Sequence, residues 1–186
     1  MLRLFFALQP TLEFGTRLVA TAAPLLAELG AQPVPVSNLH ATLCFVGAVE
    51  PERLDALRAA AARVHALRCE LEFDTFEYWE KPRILVAGAT QESLTAKALS
   101  RALQEAASAA GFSPDVKPFR AHLTLARKIS PTAAQKISWP LKISPGFVVF
   151  GDRFALMKSH RGEQGSIYSV IDEWRLYDSS IERRES

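Results

Sequence analysis

Apolar positions recur along the chain with two different periods, and the switches between them mark out the elements. Residues 2 to 8 are almost continuously apolar, as in a strand buried on both faces. From Thr11 to Leu29 the period is helical, through Leu12, Gly15, Leu18, Val19, Ala22, Leu25, Leu26 and Leu29; Gly30 ends the helix and Pro24 is expected to kink it. Pro33 and Pro35 make an extended link to a second strand, HATLCFV, which begins at His40. Pro51 stands where a first helical residue belongs. Leu54, Leu57, Ala61 and Val64 carry that second helix on, with His65 read as a cation at its end.

Further along, Cys69, Leu71 and Phe73 alternate with Glu70, Glu72 and Asp74, the pattern of an antiparallel strand with one wet face. RILVAG, residues 83 to 88, reads as another buried strand. Ser93 to Ala110 reads as an amphipathic helix stopped by Gly111, and FRAHLTLARK, residues 119 to 128, as a strand again headed by a histidine. Strands near 147 to 157 and 166 to 176 close the pattern, separated by a polar segment, SHRGEQG, that places His160 and Arg161 in a loop; Ile181 to Ser186 is expected to fray.

A repeat runs through this order. RLFFA at 3 to 7 resembles RILVA at 83 to 87, each opens a strand, helix, strand unit, and the last strand of each unit starts His-x-Thr-Leu. Two similar units in one small domain pack about an approximate two-fold axis, which brings His40 and His122 together. Two copies at matching points of a repeat make chance placement a poor account, although one histidine in a strand is usually structural.

Two convergent imidazoles have a definite use. One, neutral, accepts a proton from water while the other, charged, donates to a leaving oxygen, which suits phosphodiester hydrolysis without a metal. Thr42 and Thr124, on the strand faces of their histidines, can donate to non-bridging phosphate oxygens, and Arg127 can add a charge-assisted contact. Strand alternation puts Arg127 on the opposite face, so a bulge or strand end near residue 126, or a long reach around the edge, is needed. His-x-Thr is not a metal-ligand spacing and no carboxylate accompanies either copy, so neither a metal nor any other cofactor is expected. A threonine nucleophile would need its own base, and no nucleophile elbow is present for a serine triad.

Composition narrows the setting. At 186 residues, 48% hydrophobic and 23% charged, the chain suits one well-buried domain, and a formal charge of +2 leaves polyanion binding to a local site. Lys117, Arg120 and Lys128 bracket the second motif as a candidate basic rim, with His160 as an outlying contact. Trp79, Trp139 and Trp174 are read as packing or cleft-wall residues. Cys44 and Cys69 lack metal or redox spacing and are expected as buried thiols. The start, MLRLFFALQP, is broken by Arg3 and Pro10 and leads into an amphipathic helix, so a strand is expected there. A soluble, cytoplasmic monomer with no membrane partner is the corresponding expectation.

The paired HATL and HLTL, the NLH before and FVG after the first, the AR after the second, the opening RLFFAL and the late spacing of Tyr168, Ile171, Trp174 and Leu176 resemble the 2H phosphoesterase superfamily. Within it they are most similar to the bacterial and archaeal RNA 2',3'-cyclic phosphodiesterases, historically called 2'-5' RNA ligases. The resemblance implies an α+β fold over residues 1–186: two lobes, each an antiparallel sheet with outer helices, around a central cleft with pseudo-two-fold symmetry. It also implies a substrate, RNA or a nucleotide with a 2',3'-cyclic phosphate end, opened to a 2'-phosphate. On that resemblance His40 matches the proton donor and His122 the proton acceptor. Thr42, Thr124 and Arg127 match phosphate-binding positions, and Phe45 matches a residue that touches the base. A nucleotide-binding module without turnover, and ligation or cleavage of 2'-5' linkages, are the competing readings.

Overall fold

Each change of period in the sequence corresponds to an element in the structure, a computed structural model that describes residues 1–162 and 165–178. The expected fraying of Ile181 to Ser186 lies outside the described residues, as do two positions of SHRGEQG. The continuous apolar run is β1 (Leu2–Leu8), followed by α1 (Leu12–Glu28), β2 (Ala41–Val49) and α2 (Leu54–Ala62). Then come β3 (Cys69–Trp79), β4 (Ile84–Gly88), α3 (Leu94–Ala109) and β5 (His122–Arg127). A four-residue α4 (Pro131–Ala134), not anticipated from the sequence, precedes β6 (Leu141–Gly151), β7 (Arg153–Gly162) and β8 (Gly165–Arg175).

Side chains start both long helices. The Thr11 hydroxyl accepts from the Phe14 N–H at 3.2 Å and the Ser93 hydroxyl from the Ala96 N–H at 3.3 Å, each satisfying a donor that the helix itself leaves free. α1 continues through Pro24 to Glu28. Its Gly15 is a close-approach position, since a Cβ there would stand 2.6 Å from Val36 Cγ1 in the short 3-10 turn Val36–Asn38.

The strands form two four-stranded antiparallel sheets, ordered β2-β1-β7-β8 and β5-β4-β3-β6. The orders correspond strand for strand, and the motif strands β2 and β5 occupy edges that meet each other. One apolar core joins the lobes, from Leu4, Phe6 and Phe154 in the first sheet to Phe73, Leu85 and Leu123 in the second. The antiparallel two-sheet α+β architecture expected from the sequence is therefore present.

Several details differ. The run 147 to 157 is not one strand: the chain turns at Gly151 and Asp152, leaving β6 in one sheet and β7 in the other. SHRGEQG is not a loop up to Gly162, because Ser159 to Gly162 continue β7 and pair across to β8, His160 with Ile167 and Arg161 with Ser166. Backbone pairing takes no account of side-chain polarity, which hid this extension. His65 lies past the end of α2 with its ring 5.7 Å from that of Tyr177, so it does not cap the helix. The repeat is also registered one residue away from the match of RLFFA to RILVA. Phe5 pairs with Phe45 as Ile84 pairs with Arg127, which makes Phe5, not Leu4, the equivalent of Ile84.

Candidate active site

Bulges decide which side chains enter the cleft. In the β4–β5 ladder Val86 pairs with Thr124 and Leu85 with Ala126, so Leu125 is an extra residue; in β1–β2 Ala7 pairs with Thr42 and Phe6 with Cys44, so Leu43 is its counterpart. An extra residue shifts the two-residue alternation by one. Thr124 and Arg127, three apart, thus share the cleft face, and so do Thr42 and Phe45. Of the routes the sequence left open for Arg127, the structure takes the bulge, at Leu125. The carbonyl of Leu43 accepts a buried hydrogen bond from the Ser100 hydroxyl of α3, a helix belonging to the other lobe's repeat.

The histidines are oriented in the same way. His40 Nδ1 lies 2.7 Å from the Asn38 carbonyl and His122 Nδ1 2.8 Å from the Arg120 carbonyl. A carbonyl can only accept, so Nδ1 carries the proton in both rings and Nε2 is the atom that gains or loses one. Asn38 is held in turn by a 2.9 Å bond from its amide to the Ser166 carbonyl on β8.

Their surroundings differ. His40 stands against Phe5 at 4.9 Å and Tyr168 at 4.8 Å between ring centroids. Burial pushes it down to about 4; the Asn38 carbonyl opposes this, and the Arg127 and His122 charges add to it. His122 packs 4.5 Å from the Trp79 ring. Burial lowers it too, with Arg120 and Arg127 acting in the same direction, while the Arg120 carbonyl and the Glu77 carboxylate oppose the shift.

All six residues singled out from the sequence, His40, Thr42, Phe45, His122, Thr124 and Arg127, line one cleft of about 790 Å³. Arg3, Lys81, His160 and Arg161 line it as well, and among the described residues no Asp or Glu lines it, so the cleft suits an anion. The Arg3 guanidinium lies 4.9 Å from the Phe45 centroid, and Arg127 reaches the Tyr168 hydroxyl at 3.4 Å. His160 is thus a strand residue on the cleft wall. The basic rim expected from Lys117, Arg120 and Lys128 is not where the sequence put it, because none of the three lines the cleft. Lys117 pairs with Asp115 at 2.6 Å, and Arg120 pairs with Glu77 at 2.6 Å. Local sequence proximity misled here, since the cleft's other cations arrive on β1, β7 and the turn after β3. Arg3, Phe5, Lys81 and Tyr168 were missed as site residues for that reason; the late tyrosine spacing was the one available signal.

Trp79 is a cleft-wall residue, whereas Trp139 donates to the Ala134 carbonyl at 2.9 Å and Trp174 stacks on Phe154 at 5.2 Å, both as packing residues. Cys44 and Cys69 are buried free thiols, pushed by that burial up to about 12 and about 11, so neither is a ready nucleophile. Among the described residues no three His, Cys, Asp or Glu side chains gather as metal ligands. A groove of about 990 Å³ between α3 and residues 116–119 contains none of the six, and its cations Lys97, Arg101 and Lys117 pair with Glu92, Glu105 and Asp115.

Known proteins are similar to this chain in sequence and fold. The family model described as LigT like phosphoesterase matches residues 12–86 and 89–168. An RNA 2',3'-cyclic phosphodiesterase of Escherichia coli is 26% identical, over 94% of this chain and 96% of its own length. One from Thermus thermophilus is 29% identical, over 94% and 90%. The structure of E. coli LigT complexed with 3'-AMP matches with a TM-score of 0.83 at 26% identity, over 95% of this chain and 99% of that one.

Proposed function

The chain belongs to the LigT-like phosphoesterase family, and from that premise we propose that residues 1–186 act as one two-lobed unit that hydrolyses RNA 2',3'-cyclic phosphate ends to 2'-phosphates without a metal. The observation that carries the reading is the matched pair of imidazoles, both with Nδ1 committed to a backbone carbonyl, in a cleft lined by cations and, among the described residues, by no carboxylate. The activity named for the E. coli and T. thermophilus relatives, and the nucleotide held by E. coli LigT, support the substrate class.

In this reading Nε2 of neutral His122 takes a proton from water as its oxygen bonds to phosphorus. The bond from phosphorus to O3' breaks, and Nε2–H of charged His40 delivers the proton to O3', leaving a 3'-hydroxyl and a 2'-phosphate. Thr42 and Thr124 donate hydroxyl hydrogen bonds to the non-bridging oxygens. Arg127 adds a charge-assisted contact, and Phe45, capped by Arg3, offers its ring to the base. Burial works against a charged His40 in the empty cleft. The substrate's phosphate, an anion beside Nε2, favours the charged ring and so arms the donor on binding.

The deciding assay uses RNA ending in a 2',3'-cyclic phosphate, with EDTA present and the product identified. A 2'-phosphate is expected. Loss of turnover in EDTA would replace the proposal with a metal mechanism, and a 3'-phosphate would reverse the leaving oxygen. Tight binding of a nucleoside 2'-phosphate without hydrolysis would make the protein a nucleotide-binding module.

A further inference from the structure

The lobes share a pairing scheme and differ in what the scheme places beside each histidine. In the first sheet Phe5 pairs with Met157 and Ala7 with Ala155; at the equivalent places in the second, Ile84 pairs with Trp79 and Val86 with Glu77. The strand serving His40 therefore has two apolar side chains where the strand serving His122 has an indole and a carboxylate.

Glu77 sits where a carboxylate needs partners, with its side chain 16% exposed. Its Oε2 accepts from Arg120 Nη2 at 2.6 Å and from Trp79 Nε1 at 2.9 Å. Both donors bear on His122: the Trp79 ring packs 4.5 Å from it, and the Arg120 carbonyl accepts its Nδ1–H. Room for the carboxylate comes from Gly88, the strand partner of His122, where a Cβ would stand 2.5 Å from Glu77 Oε1.

We propose that Glu77 is a positioning residue for His122, holding through one carboxylate oxygen both the indole and the Arg120 segment between which the imidazole is fixed. The proposal rests on the reading of His122 as a working imidazole of the phosphodiesterase. At His40 the equivalent places hold Met157 and Ala155, so Glu77 also makes the two halves of a symmetric site electrically unlike.

The test is an NMR titration of the histidine rings in the free protein, alongside steady-state kinetics. In Glu77→Gln the midpoint of His122 should fall, because a carboxylate that favours the charged ring is gone, while His40 stays in place. kcat should drop about tenfold with KM little changed, a fraction of the hundredfold or more that loss of a general acid or base costs. In Arg120→Met, which keeps the backbone carbonyl but removes the cation, the midpoint of His122 should rise. Loosened packing would not produce shifts of opposite sign at one ring. Asp74→Asn, on the same strand but bonded to Thr90 and Lys142, should change neither readout. Equal His122 midpoints in the wild type and both variants, or a His40 shift as large as that of His122, would overturn the proposal. If Glu77→Gln does not fold, Arg120→Met alone decides it. Absence of phosphodiesterase turnover in the wild type would refute the proposed function while leaving the titrations readable.

Discussion

Two histidines with the same backbone bond need not hold a proton equally. Burial disfavours charge on both, most strongly at His40 between Phe5 and Tyr168, which brings it to about 4. The proposed reaction needs one ring charged and the other neutral, so kcat/KM against pH should be bell-shaped with its optimum on the acid side of 6.5, the ordinary histidine value. The bell has the same form whichever ring donates, so the direction of proton travel comes from the NMR midpoints in the substrate-like complex. Replacing either histidine by alanine should lower kcat about a hundredfold or more, and a variant close to full rate would remove that ring from the reaction. Stability follows the same shift. The unfolded chain protonates His40 near 6.5 and the folded protein near 4, so across that window the unfolded state holds more protons. The Tm should fall as pH is lowered through it, and His40→Gln should make that fall shallower.

At the scale of elements, the bulges turn two ordinary edge strands into a site. Without the extra residue at Leu125, Arg127 would point away from Thr124, and without the one at Leu43, Phe45 would leave the cleft. The sequence exposed the parity problem at Thr124 and Arg127, with a bulge as one of its solutions, because residues three apart fall on opposite faces of a regular strand. It held no sign of how the bulge at Leu43 is kept, since the partner, Ser100, is fifty-seven residues away on α3. Ser100→Ala should leave the Leu43 carbonyl buried and unpaired, at about 1 to 3 kcal/mol. Urea unfolding measures that loss, and a matching fall in activity would place the strain at Thr42. Gly15 was legible as an apolar helix position but not as a contact. Gly15→Ala should press on the Val36–Asn38 turn that carries His40's acceptor, lowering stability and activity together.

Across the whole molecule the lobes are exchanged as well as packed. The link before each motif bonds to the other lobe's motif strand: Val34 N–H to the Leu125 carbonyl at 2.8 Å, and Asp115 N–H to the Phe45 carbonyl at 2.8 Å. α1 likewise places Phe14 against Phe73 and Phe147 of the second sheet, while α3 reaches β2 through Ser100. Neither half can lose its structure without unpairing the other's motif strand. Thermal or urea unfolding should therefore be a single transition. Tryptophan fluorescence of a variant retaining only Trp174, in the first lobe, and of one retaining only Trp139, against the second, should report the same midpoint as far-UV circular dichroism. Separate midpoints would mean that the lobes unfold independently.

The sequence by itself determined the three longest helices, most of the strands and the paired motif, because hydrophobic period and a duplicated four-residue motif are local properties of the chain. His40, Thr42, His122 and Thr124 could be named from it, and Arg127 with the condition that its strand be bulged or end near residue 126, or that its side chain reach around the edge. Tertiary structure alone decided what surrounds those groups. It set the two-sheet partition of residues 141 to 162. The cations Arg3, Lys81 and Arg161 and the aromatic walls Phe5, Tyr168 and Trp79 reach the cleft, and the carboxylate of Glu77 reaches Trp79 and Arg120 beside His122, from strands and turns that the chain order keeps apart. The physical reason is that a proton's preference between two like rings depends on burial and on nearby charge, and both are fixed by which strands lie side by side.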